Sequence, residues 1–298
     1  MHNRTFLPQN FTINTWNELK PYYDQIVDKD ITLKSDFELF LQQLSELESV
    51  VSEDLAWKYI KMTCDTTNPA LEEAFNYFCL EIQPKMQPFA DQLNKKFIDC
   101  SFTASLDKDT YYTYIRSVKK NIELFREANI PLQAELSVMQ QQYGTIAGKM
   151  TVEVEGKEYT LQQAAKFLEN EDRAVRESVY KKIQDRRLID KDAMHDLYSS
   201  LIQKRHQVAV NAGFANYRDY KFVELGRFDY TKEDCFQFHE AVKLHVLPLI
   251  EKIYARKKEK LGLDVLKPWD TEAEPAGVLP LKPFTNGQDL YEKTVTCF

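Results

Sequence analysis

The sequence predicts a mainly α-helical protein, a multi-helix bundle with one small β-hairpin. Three observations lead there. Leu, Glu, Lys, Gln and Ala are plentiful, while only eight glycines and eleven prolines interrupt 298 residues. Apolar residues recur at steps of three and four along most of the chain. Only Met150 to Tyr159 alternates as a strand does, with Val152 and Val154 between Thr151, Glu153 and Glu155.

The elements follow in order. A first helix starts at Asn14 or Thr15, where Glu18 completes a capping box and Trp16, Leu19, Tyr22, Tyr23 and Ile26 form the apolar face. Ser35 and Glu38 open a second helix, with Phe37, Phe40, Leu41, Leu44, Leu47, Val50 and Val51 on one stripe. Ser52-Glu53-Asp54 is expected to break it before a helix through Leu55, Tyr59, Ile60 and Met62. Antiparallel pairing would cover these stripes.

Asn68-Pro69 begins the next helix, because Asn caps and Pro tolerates the first position. That helix runs towards Phe97, with Pro84 and Pro88 expected to kink or interrupt it. Asp107 to Ala128 reads as helix, Asn129-Ile130-Pro131 as a break, and Leu132 to Gly144 as a restart. Gly156 supplies the hairpin turn and Thr160 caps a short helix; Asp172 and Asp190 start two longer ones.

The helix from Asp190 carries Leu201, Ile202, Val208 and Val210 and stops at Gly213. Asn216 to Leu225 is expected as an extended aromatic link between helices. Thr231 and Asp234 then cap a long helix that holds Phe236, Phe238, Val242, Leu247, Ile250, Ile253 and Tyr254 and ends at Gly262. Pro268, Pro275, Pro280 and Pro283 mark an extended connector, Asn286-Gly287 a turn, and Gln288 to Lys293 the start of a further helix. The organisation expected is a helical region over 1–140, a helical region with the hairpin over 141–270, and a connector with a partial helix over 271–298. A short helix ending on apolar Phe298 suggests the front part of a longer protein.

Four elements after residue 211, AGFANYRDY (212–220), RFDYTKED (227–234), FHEAVKLHVLPL (238–249) and LGLDVLKPWD (261–270), occur in that order, and YTLQQAAKFLENEDRAVRESVY (159–180) precedes them. In sequence and spacing they resemble oligoendopeptidase F, of the zinc metallopeptidase family of thimet oligopeptidase and neurolysin. The likeness is strong from about Gln141 to Phe284 and weak before it. It implies a helical wall of a deep, neurolysin-like peptide channel that admits short peptides. It also implies a His-Glu-x-x-His helix whose histidines and a later Glu hold zinc, the first Glu acting as general base.

That motif is absent. The nearest string is His239-Glu240-Ala241-Val242-Lys243-Leu244-His245, with the histidines six apart. At about 100° per residue they stand roughly 120° apart on a regular helix, unable to share a metal. His195 has no second ligand four residues on, His206 follows Lys204-Arg205, and His2 lies at the N-terminus. Gly144 to Lys149 lacks the Lys-[Ser/Thr] ending of a phosphate loop and precedes a strand. No catalytic or metal-binding residue is therefore assigned. Tyr and Arg side chains of 217–230 are substrate-contact candidates by position alone, and anchoring two helices explains them equally.

A net charge of −7 argues against a nucleic-acid partner, and no run approaches the roughly 18 apolar residues of a membrane span. Five dispersed cysteines without a C-x-x-C pair, and an N-terminus without a secretory core, point to reduced thiols in the cytoplasm. The expectation is the N-terminal part of a zinc oligoendopeptidase, with zinc the full-length family's cofactor, none bound by this chain, and short peptides as substrates. The alternative is a non-catalytic helical peptide-binding or scaffold protein of the same family.

Overall fold

The computed structural model describes residues 4–278 and 281–297, so His2, Pro280 and Phe298 lie outside the described residues. Two units make up the chain. The first comprises Met1–Lys149 and Asp190–Cys235, the second Met150–Ile189 and Phe236–Phe298.

In the first unit, α1 (Trp16–Val27) opens with the capping box its sequence predicts. The Thr15 N–H donates to the Glu18 carboxylate and the Glu18 N–H to Thr15 Oγ1, both at 3.3 Å. Helix α2 (Lys34–Cys64) departs from expectation twice. Its start is held by Asp36, which accepts the N–H groups of Thr32 and Leu33, and not by Ser35 with Glu38. It also runs unbroken through Ser52-Glu53-Asp54. Those residues sit on the polar side, where Glu53 pairs with Arg4 and Asp54 with Lys58, while Val50 and Val51 stay buried. Tertiary packing overrides a weak local preference.

Asn68 caps α3 (Pro69–Tyr77) as predicted, its Oδ1 accepting the Ala70 N–H at 3.1 Å. The chain then makes a wide π-turn, Phe78–Ile82, before α4 (Gln83–Asp99). Pro84 accounts for it: a residue without an N–H cannot continue the regular ladder, and the wider turn absorbs the mismatch. Pro88 lies within α4 without ending it. Helix α5 (Lys108–Leu124) is capped by Asp107, and α6 (Asn129–Gly148) begins where a break was expected. Pro131 falls in its first turn, where the missing N–H has no partner to lose. The break lies earlier, with Phe125 in extended conformation.

The core of this unit gathers Leu19, Ile26, Phe37, Phe40, Leu47, Phe78 and Phe97, with Phe37 stacked on Phe97 at 6.1 Å between centroids. Ahead of α1, Glu46 accepts the backbone N–H groups of Thr5, Phe6 and Leu7 at 2.7–2.9 Å and lays that segment on α2.

The second unit contains the hairpin, β1 (Thr151–Val154) and β2 (Lys157–Thr160), paired antiparallel with Val154 opposite Lys157. Glu155 and Gly156 both have positive φ, 53° and 77°, which suits the two-residue turn. Val152 and Val154 are buried; the polar residues between them face outwards. Thr160 caps α7 (Leu161–Ala165) in a capping box with Gln163, and α8 (Arg173–Ile189) packs on β1 and α7. Among the described residues no helix is long and apolar enough to cross a membrane.

Candidate functional site

The side chains that sequence singled out by position lie around residues 212–230, and each unit also holds a polar anchor that sequence did not announce. Helix α9 (Lys191–Asn211) ends at Gly213, whose φ of 89° is the left-handed conformation expected there. Leu201 and Val208 are buried, but Ile202 and Val210 are about half exposed, so the apolar face is narrower than predicted. The expected extended link is helical: α10 (Tyr217–Glu224) is capped by Asn216, whose Oδ1 accepts the Asp219 N–H at 3.0 Å. An Asn cap overcomes the weak helix preference of Tyr, Phe and Val that had suggested extended backbone.

Tyr220 is buried against Phe214 and Tyr217, with centroids 5.7 and 5.9 Å away. Burial, reinforced by the Glu224 carboxylate, pushes its phenol up to about 12. Arg205 lies 5.8 Å from the Tyr217 ring. Tyr217 and Tyr220 thus act first as helix anchors.

Beyond α10, Arg116 of α5 holds Asp229 through paired hydrogen bonds of 2.8 and 3.1 Å. Its guanidinium lies between the rings of Tyr112, at 5.1 Å, and Phe228, at 4.6 Å. The hydrogen bond from Arg116 lowers the Asp229 pKa. A partner 113 residues away left no local signal.

The second anchor lies in the second unit. Asp270 is fully buried and accepts from Arg173 Nη2 and Arg176 Nη2, both at 2.9 Å, and from the Lys267 N–H at 2.9 Å. Burial disfavours its charge, but these donors outweigh burial and bring its pKa down to about 2. Arg176, 3% exposed, also donates to the carbonyls of Trp269, Asn170 and Glu171. It therefore ties the start of α8 to the Pro268–Asp270 turn.

The histidines do not converge. His195, His206, His239 and His245 are exposed. His239 lies on α11 (Lys232–Ala241) and His245 within a π-turn, Val242–Val246, that interrupts the single long helix predicted, and Pro248 follows at the start of α12 (Leu247–Lys260). The Thr231–Asp234 capping box ahead of α11 is present. Phe236, Phe238, Leu247, Ile250, Ile253 and Tyr254 are exposed, so their helical spacing does not mark a buried stripe. Among the described residues no group of three or more His, Cys, Asp or Glu side chains could hold a metal ion.

Comparison with known proteins identifies the scaffold. Residues 6–125 match the Peptidase M3 N-terminal domain and residues 166–292 match Peptidase family M3. The chain belongs to peptidase family M3. A solved structure assigned as oligoendopeptidase F shares 18% identity at a TM-score of 0.84, over 90% of this chain and 48% of that one. One from Bacillus anthracis, with the same assignment, shares 17% at 0.83, over 92% and 51%. PZ peptidase A, solved with an inhibitor, shares 19% at 0.84, over 91% and 48%. At such identities the likeness shows the M3 fold, and this chain spans about half the length of the structures it matches. No curated protein matches the sequence.

M3 is a zinc metallopeptidase family. The donors of this chain do not fit a zinc centre of the His-Glu-x-x-His plan, since no two of its five histidines stand four residues apart.

Proposed function

We propose that this chain is the non-catalytic helical portion of a zinc-dependent oligoendopeptidase that hydrolyses short peptides in the cytoplasm. The observation carrying this reading is the pair of M3 family matches, which together take in most of a chain with no His-Glu-x-x-His. The zinc ligands, general base and transition-state donors then come from sequence outside these 298 residues. The buried Asp270–Arg176 anchor supplies a rigid support, and the five free cysteines suit a reducing compartment.

The test has two arms. The purified 298-residue chain should bind no stoichiometric zinc and leave a quenched fluorogenic peptide intact. The polypeptide that continues the coding sequence into a His-Glu-x-x-His helix should cleave that peptide and lose activity to a chelator. Equimolar zinc with turnover by the short chain, or a reading frame without such a helix, would overturn the proposal.

A further inference from the structure

In the second unit, residues 236–260 run through the end of α11, the π-turn and α12, and none of them is buried. Val242 and Lys257 are partly covered; every other residue of the stretch is exposed. Its sequence is nonetheless that of a packing helix. Leu247, Ile250, Ile253 and Tyr254 recur at steps of three and four along one side of α12, and Phe238 and Leu244, 67% and 64% exposed, precede them.

A helix of this kind draws most of its stability from covering its apolar side, and a continuous exposed stripe marks a surface that another molecule or segment covers. Charge narrows the choice of occupant. Residues 236–260 carry six Lys and Arg against three Glu, in a chain whose net charge is −7. Lys257 is turned back on Glu274 and Lys243 lies beside Glu240, each at 3.7 Å. Among the described residues Lys252, Arg256, Lys258 and Lys260 make no ion pair. A second copy laid on the stripe would meet the same positive excess. The occupant that fits brings an apolar surface edged with carboxylates.

The family match says where that surface comes from. Residues 166–292, which enclose the whole stretch, match Peptidase family M3, and the chain spans about half the length of the structures it matches. An anionic lipid surface would satisfy the charge but would leave a peptidase segment outside the peptidase. We propose that the apolar stripe of residues 236–254 is the seat of the catalytic portion of the M3 enzyme, with carboxylates of that portion opposite Lys252 and Arg256. The inference rests on the peptidase reading and adds to it the surface on which the two portions meet.

Amide hydrogen exchange in the 298-residue chain and in the polypeptide that continues its coding sequence tests this. The amides of Glu251 to Tyr254 should exchange at least about tenfold more slowly in the longer polypeptide. Leu244→Glu with Ile253→Glu should abolish that extra protection while leaving the urea midpoint of the short chain unchanged, since both side chains are exposed there. Equal exchange in the two wild-type polypeptides overturns the inference. Protection that then appears with rising concentration of the short chain assigns the stripe to a second copy, and protection that appears only with phosphatidylglycerol vesicles assigns it to a lipid surface. Peptide cleavage by the longer polypeptide without the extra protection removes this inference and leaves the peptidase reading standing; a coding sequence without a His-Glu-x-x-His helix removes both.

Discussion

The two units are held together by different physics. Around α1, α2 and α4 the first unit buries a run of phenylalanines and aliphatics with almost no polar component. The second unit has a short hairpin and α8, and at their side a carboxylate with 0% exposure clamped by two arginines. An apolar core tolerates small errors in proportion to the volume lost. A buried ion cluster stands only when every member is present, because one missing partner strands the other charges away from water. The contrast sets where each unit should fail first.

The largest loss should follow Asp270→Ala. It leaves Arg176 buried without its counter-ion and frees Arg173, and should cost about 3–5 kcal/mol in urea unfolding. Trp269 fluorescence, adjacent to the break, should report the loss. Replacing Arg176 and Asp270 together by Met and Leu should recover much of it, since no charge is then stranded. Without that recovery the cluster would be acting through something other than its charges.

In the first unit, Phe97→Ala should cost about 3 kcal/mol, because it empties the space against Phe37 and the core cannot fully collapse. Phe97→Leu should cost clearly less, in line with the smaller volume removed. A loss as large as that of the alanine variant would mean that ring stacking, not volume, is what the site needs.

How much of this was legible in sequence follows the same division. Capping and periodicity are local, so Thr15 with Glu18, Asn68 with Pro69, and the Thr160 cap could be placed at sight. Phe37, Phe40, Leu44 and Leu47 announced their burial by spacing alone. The anchors could not be read. Arg176 and Asp270 meet across 94 residues, Arg116 and Asp229 across 113, and nothing in the neighbourhood of either residue signals the partner. Local signals also misled where tertiary contacts outvoted them, as at Ser52-Glu53-Asp54, which stays helical because its polar atoms find Arg4 and Lys58. Of the site residues, the absence of a His-Glu-x-x-His pair was plain from spacing.

Acid sharpens the comparison at Asp270, the buried carboxylate of the second unit. Asp270 has its pKa depressed to about 2 from the ordinary 3.8, so its ionised form is favoured in the folded state. Its contribution, about 2 kcal/mol, is complete above about pH 4 and is lost as pH falls through 2. Unfolding followed at Trp269 between those limits should track that loss. In Asp270→Asn the same probe should show a flatter acid dependence, and an unchanged profile would assign the acid sensitivity elsewhere.

The smallest effect belongs to Glu46, a carboxylate contact at the start of the first unit. Glu46 uses the same device as Asp270, a carboxylate gathering donors, but its partners are the N–H groups of Thr5, Phe6 and Leu7 and it is only half-buried. Burial works against its charge, and the three backbone donors together with the Thr5 hydroxyl still lower its pKa. Water can replace part of what Glu46 provides, so Glu46→Ala should cost only about 1–2 kcal/mol. The loss should be confined to the start of the chain: amide exchange at Thr5, Phe6 and Leu7 should accelerate about tenfold while that of the Phe37–Phe97 core stays unchanged. If core amides accelerate too, the N-terminal segment is part of the first unit's cooperative core, and a partly exposed carboxylate carries as much of the fold as the buried one.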